Sequence, residues 1–216
     1  MLHLIKYRNQ RNLDSPLGFK KNWWYWSPSK NLKINEKKTI SFLLKKEKEL
    51  LKKYPLKYKK FITPSKFNTF LFFDKSKELN KIKKYIQLNI KNLLRHIDLN
   101  NSYVYILCWF NILRKNENIK AHSHQPHETA EMSFVSGNLF LSGENSSTVY
   151  QTPFTNQNIE IPNSPGSLIL FPSYITHWTI NRSDKIRASI AFDVYPEKEF
   201  FNSSFLEDEV IVKLKL

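Results

Sequence analysis

A change of hydrophobic period near Ser102 constrains this chain more than any other feature. Before it, apolar residues recur at helical spacing. Thr39–Tyr54 carries Ile40, Leu43, Leu44, Leu50 and Leu51 among Lys and Glu, and Pro55 stops it. Ser76–Ile97 carries Leu79, Ile82, Ile86, Ile90, Leu93 and Ile97 three or four residues apart, with Lys81, Lys84 and Lys91 elsewhere on the wheel. Each segment predicts an amphipathic helix with one buried stripe and one solvated basic face. After Ser102 the runs are short and rich in β-branched and aromatic residues: Ser102–Arg114, Phe134–Ser142, Thr148–Thr152, Ser167–Pro172, His177–Asn181 and Ile186–Tyr195. Turn residues such as Pro162-Asn163-Ser164-Pro165-Gly166 separate them. Helices followed by many short strands predict an α+β chain whose C-terminal half is a sandwich or small barrel. Residues 1–38, with Pro16, Gly18 and the cluster Trp23-Trp24-Tyr25-Trp26, read as irregular, the tryptophans packing under the barrel edge. Trp109 and Phe110 are adjacent in a strand-like run, so one is expected to face the core and the other outward. The expected organisation is a helical support over residues 1–100 and a barrel core over 101–216, joined as one integrated domain.

A chain of 216 residues, 41% of them hydrophobic, can bury a core without disulfides or a structural metal. Its single cysteine, Cys108, points to a reducing compartment, so a cytoplasmic location is expected. No apolar run approaches the roughly 18 residues of a membrane span, and Met1-Leu2-His3-Leu4-Ile5-Lys6 lacks the apolar stretch of a secretion signal. The net charge of +15 is uneven: residues 1–100 carry 25 Lys/Arg against 7 Asp/Glu, and residues 101–216 carry 9 against 12. That asymmetry invites a nucleic-acid reading. Only six of the 34 basic residues are Arg, however, and phosphate and base recognition favour the arginine fork. Abundant Lys, Asn and Ile fit the bias of an AT-rich coding sequence, and the basic half reads mainly as solvated surface.

The chemistry-bearing residues lie in the other half. His122-Ser123-His124 is an i, i+2 pair, and on a strand both rings project from one face. Two such imidazoles can share a cation, although His-x-His alone is a weak signal. His177 follows a tight turn after the apolar run Leu168–Phe171, and Arg187 comes ten residues later. Arg187 and Ser189 share a face of a strand that otherwise reads as core. A buried guanidinium is costly unless an anion neutralises it. A ligand carboxylate gripped by Arg187 and Ser189 would resolve the cost; a solvent-facing Arg187, or one paired with a protein carboxylate, is the competing reading.

At these residues the chain resembles Fe(II)/2-oxoglutarate-dependent oxygenases. His122-Ser123-His124, Ser136-Gly137-Asn138-Leu139-Phe140, Gly166–Pro172, His177 and Arg187-Ala188-Ser189-Ile190-Ala191-Phe192 occur in the order found in that family. The likeness is strongest to the group frequent in phages and marine bacteria. It covers about residues 102–196, and its most specific part is the His–ten–Arg-x-Ser block. It implies a double-stranded β-helix, or jelly-roll, core with N-terminal helices buttressing one sheet. It implies His177 as one iron ligand, another from His122-Ser123-His124, and Arg187 helped by Ser189 on the C5 carboxylate of 2-oxoglutarate. His122, His177 and Arg187 are then the catalytic set, and Fe(II), 2-oxoglutarate and O2 are the cofactor and co-substrates. Position 124 departs from the commonest His-x-Asp/Glu pattern. The metal could be held by His122, His124 and His177; Glu131 could supply a carboxylate, as in cupins; or only two protein ligands remain. Gly166, Pro172, His177 and Asn181 also fit the second cupin motif, apart from Tyr174 where Gly is usual. His127 reads as a loop residue. Halogenating relatives carry a small residue at the carboxylate position; His124 is not small, so hydroxylation is favoured. The alternatives are a cupin-type metalloprotein that does not use 2-oxoglutarate and a basic nucleic-acid-binding module. A small molecule, a peptide or a nucleobase all fit as substrate, and oligomeric state is left open.

Overall fold

The computed structural model describes residues 3–4, 25–27, 32–53, 77–97, 99, 101–124, 134–143, 145–151, 157–196 and 212–216. In chain order they form β1 (His3–Leu4), β2 (Tyr25–Ser27), α1 (Glu36–Lys53), α2 (Lys77–His96), β3 (Tyr103–Leu113), β4 (Asn118–His122), β5 (Val135–Ser142), β6 (Ser147–Gln151), β7 (Asn158–Pro162), β8 (Leu168–Pro172), β9 (Thr176–Ile180), β10 (Arg187–Tyr195) and β11 (Val212–Lys215). All strand pairings are antiparallel. A larger sheet runs β1-β2-β8-β5-β10-β3-β11, and a smaller one runs β4-β9-β6-β7. This is the jelly-roll arrangement of two facing sheets expected for the C-terminal half.

Both helices form where the apolar period is helical. α1 starts at Glu36, three residues ahead of the sequence expectation, because Asn35 caps it: its Oδ1 accepts the Lys38 N–H at 3.1 Å. The stripe Leu79, Ile82, Ile86, Ile90 and Leu93 of α2 is buried with Leu43 of α1. These side chains share one core with Val104, Ile106, Cys108, Phe110 and Ile112 of β3 and Ala188, Ile190, Phe192 and Val194 of β10. The helices therefore cover the outer face of the larger sheet, while Lys81 and Lys84 are exposed. The Arg114 guanidinium also ties α1 to the barrel, donating to both Glu47 carboxylate oxygens at 3.2 and 2.6 Å.

Covering both faces changes the fate of the adjacent aromatics. Phe110 packs under the helices and Trp109 into the barrel interior with Leu107, Ala191 and Tyr195. Neither faces outward, contrary to the alternation expected of a one-sided strand. Part of the N-terminal segment is also more ordered than its composition suggests. Tyr25–Ser27 extends the larger sheet by pairing with β8, Trp26 opposite Ile169, and Tyr85 of α2 donates a 2.7 Å hydrogen bond to the Ser27 hydroxyl. Trp23 and Trp24 lie outside the described residues.

Candidate metal centre and anion pocket

Three strand ends bring the histidines together. β4 pairs with β9 so that His122 lies opposite His177, after a register irregularity between Ile119 and His122. On its other side His177 lies opposite Tyr150 of β6. His124 sits two residues beyond the end of β4, its N–H donating to the Ser173 carbonyl at 2.9 Å. The ligand atoms of His122, His124 and His177 all lie within 4.8 Å of one another. The i, i+2 pair thus converges as expected, although only His122 is in the strand.

The tautomers follow from the partners. The Nδ1 of His122 is 2.8 Å from the Lys120 carbonyl, and the Nδ1 of His177 is 3.1 Å from the Ile175 carbonyl. A carbonyl only accepts, so each Nδ1 carries a proton, and in the neutral ring Nε2 keeps its lone pair. The Nδ1 of His124 faces the Asp193 carboxylate at 2.5 Å, with the same consequence. The Nε2 atoms of His122 and His124 are 3.2 Å apart, and with both rings neutral these are two lone pairs turned on each other. That arrangement is repulsive by itself and favourable around a shared cation. Burial, then the neighbouring His124 and His122, lower the His177 pKa well below 6.5, which keeps this ring a neutral ligand at neutral pH. The three imidazoles therefore fit a divalent iron.

Arg187 occupies the interior face of β10 and is 2% exposed. Its guanidinium donates to the Thr148 hydroxyl at 3.1 Å and reaches the Ser189 hydroxyl only at 3.5 Å. Its Nε has no hydrogen-bond partner. Among the described residues no carboxylate pairs with it, which leaves a charged group buried and half satisfied. Burial pulls its pKa down to about 10, offset by Tyr150, so it stays charged at neutral pH. Tyr150 bridges the two groups. Its ring stacks on His177 at 5.6 Å, its oxygen accepts from Asn138 Nδ2 at 3.1 Å, and burial raises its pKa. The Asn111 Oδ1, opposite Ser189 across β3 and β10, is likewise buried without a partner.

Residues 107–193 match the family model described as "Putative 2OG-Fe(II) oxygenase". Over that stretch, about two fifths of the chain, the sequence resembles the Fe(II)/2-oxoglutarate-dependent oxygenases. Oxygenases of this family use Fe(II), 2-oxoglutarate and O2. The fold agrees over nearly the whole chain with a non-heme alpha-ketoglutarate-dependent carbocyclase of nogalamycin biosynthesis. That structure has a TM-score of 0.52 and 11% identity, covering 91% of this chain and 94% of that one. A prolyl-4-hydroxylase of Pseudomonas putida aligns at TM-score 0.48 and 12% identity, over 56% of this chain and 68% of that one. A prolyl hydroxylase of Trichoplax adhaerens aligns at 0.46 and 17%, over 58% and 61%. No curated protein matches in sequence.

Of the residues singled out in the sequence, His122, His124, His177, Arg187 and Ser189 come together in this barrel, whereas Glu131 and His127 lie outside the described residues. Asp193, Thr148, Tyr150, Asn111 and Asn138 were not anticipated. For Asp193 the signal was available. It is six residues after Arg187, so strand parity puts both on the same interior face. A hollow of about 740 Å³ at the β6–β7 end is lined by Glu36, Gly143 and Glu160 and holds no histidine. Cys108 is buried, and burial raises its pKa well above 9.0, so it is an inert core thiol. Among the described residues no helix is long and apolar enough to cross a membrane.

Proposed function

We propose that this protein is an Fe(II)/2-oxoglutarate-dependent oxygenase, a hydroxylase that binds Fe(II) through His122, His124 and His177 and grips the C5 carboxylate of 2-oxoglutarate through Arg187. Its catalytic unit is the barrel over residues 101–216, with residues 1–100 as its support. The observation that carries the reading is the buried, unpaired Arg187 beside a three-histidine cluster. A cupin-type protein that makes no use of 2-oxoglutarate explains the histidines and leaves that charge uncompensated.

Bound Fe(II) and 2-oxoglutarate supply the O2 chemistry: one oxygen atom goes to a substrate C–H, the other to succinate, and CO2 is released. The protein's part is binding and exclusion. The carbonyls of Lys120 and Ile175 hold the His122 and His177 rings by Nδ1, so that Nε2 is the atom that would ligate the metal. Thr148 accepts from Arg187 and donates to the Asn163 Oδ1 at 2.8 Å, which fixes the guanidinium before any ligand arrives. The partnerless Nε and the second N–H of each terminal nitrogen are the donors left for an incoming carboxylate. Phe171 at 5.0 Å and Tyr150 wall the His177 ring with apolar surface and keep water from it. The substrate is an unidentified small molecule, peptide or nucleobase.

The test is succinate formation from 2-oxoglutarate. It should require Fe(II) and O2, and it should fall at least a hundredfold in His177→Ala and in Arg187→Ala. If Arg187→Ala keeps full turnover, 2-oxoglutarate is not held where the reading puts it. Turnover that survives complete removal of iron would exclude the reading altogether.

A further inference from the structure

The three-histidine centre has no carboxylate among its described ligands, yet a carboxylate stands directly behind one of them. Asp193 is 5% exposed, and its Oδ1 is 2.5 Å from the His124 Nδ1. The same oxygen lies 2.6 Å from the Ser136 hydroxyl, which is itself 3.0 Å from the Ser173 hydroxyl. Ser136 has one hydroxyl proton. An ionised carboxylate can only accept, so Ser136 donates to Asp193 and Ser173 donates to Ser136. The Ser173 carbonyl in turn accepts the His124 N–H. His124, which lies past the end of its strand, is thus fixed at two points, its backbone on Ser173 and its ring on Asp193.

No Lys or Arg among the described residues pairs with Asp193; His124 is its one ion-pair partner there. A buried carboxylate is expensive unless positive charge stands close by. A divalent cation on the far nitrogen of His124 supplies that charge through the ring. We propose that Asp193 is the positioning residue that carries the negative charge of this metal centre, one imidazole removed from the metal. The proposal rests on the metal reading above and deepens it: the charge usual at position 124 stands at position 193 instead. It follows that the centre wants one carboxylate, at 124 or at 193, and not both.

Titration of the full chain with Co(II), followed by calorimetry and by the visible d–d absorption, tests this. Asp193→Asn keeps an oxygen acceptor and removes the charge. It should weaken Co(II) binding about 10–100-fold, the usual cost of losing such a partner, and move the absorption band. His124→Asp should bind worse than wild type, because two buried carboxylates then face each other. His124→Asp with Asp193→Asn should recover at least tenfold over His124→Asp alone. That pair decides the matter even if Asp193→Asn by itself fails to fold. Asp193→Asn binding within twofold of wild type with an unmoved band, or a double variant no better than His124→Asp, overturns the proposal while leaving the metal reading intact. A wild-type protein that binds no Co(II) overturns both.

Discussion

Arg187 stays charged at neutral pH although burial pulls its guanidinium down to about 10. The metal-free protein therefore holds a cation whose solvation is lost and only partly replaced. Replacing even a buried ion pair by apolar side chains of similar volume is often neutral or stabilising, by about 1–4 kcal/mol, and Arg187 has no carboxylate partner among the described residues. Arg187→Met should leave the unliganded protein at least as resistant to urea as wild type, while abolishing the rise in Tm that 2-oxoglutarate gives the wild type. His177 predicts a pH dependence. Its folded pKa lies well below 6.5, so below that pH the unfolded chain takes up a proton that the buried ring refuses. Stability of the metal-free protein should be fully present above pH 6.5 and decline as pH falls below it, with a shallower decline in His177→Phe. A flat urea midpoint from pH 7.5 to 5.5 would contradict that. At this scale the sequence was informative where a residue type broke the pattern around it: an Arg in an apolar strand, histidines two apart. Asp193 passed unnoticed because a single Asp near the end of a strand usually marks a turn; its meaning depends on His124, 69 residues away.

β10 is the element on which the site depends. It is buried along its whole length, with Ile190 and Phe192 under the helices and Arg187, Ser189 and Asp193 inside the barrel. Gly137, opposite Phe192 on β5, makes room for that packing, since a Cβ there would lie 2.2 Å from the Phe192 ring. Gly137→Ala should cost about 1–3 kcal/mol in urea denaturation and lower metal affinity by displacing β10; unchanged stability would mean that the ring relaxes freely. Both long helices and the strands containing Trp109, Leu139, Leu170 and Ile190 were legible, because burial repeats at their own period. β4 and β7 were not. Asn118–His122 carries Asn, Lys and an exposed Ala, and Asn158–Pro162 is a half-exposed edge, so neither shows a continuous apolar run. Their pairing is set by β9 and β6, through contacts that no local pattern displays.

For the whole molecule, the uneven charge proved secondary to the placement of the histidines. Among the described residues, Lys37, Lys45, Lys48, Lys52, Lys81 and Lys84 of the two helices are exposed, and the reactive groups lie in the slightly acidic half. Stability of the whole should follow its ligands by mass action, with about 2.7 kcal/mol gained at a metal concentration one hundred times Kd. Chelation should accordingly lower Tm in wild type and leave Tm unmoved in a His122→Ala, His177→Ala double variant. The central claim, that one barrel holds iron on three histidines and 2-oxoglutarate on Arg187, is tested most directly by calorimetric titration of 2-oxoglutarate into the Mn(II)-loaded protein. One molecule should bind per chain, at least tenfold more weakly without the metal and without measurable heat in Arg187→Ala. Equal binding by wild type and Arg187→Ala, or no binding by either, would contradict it.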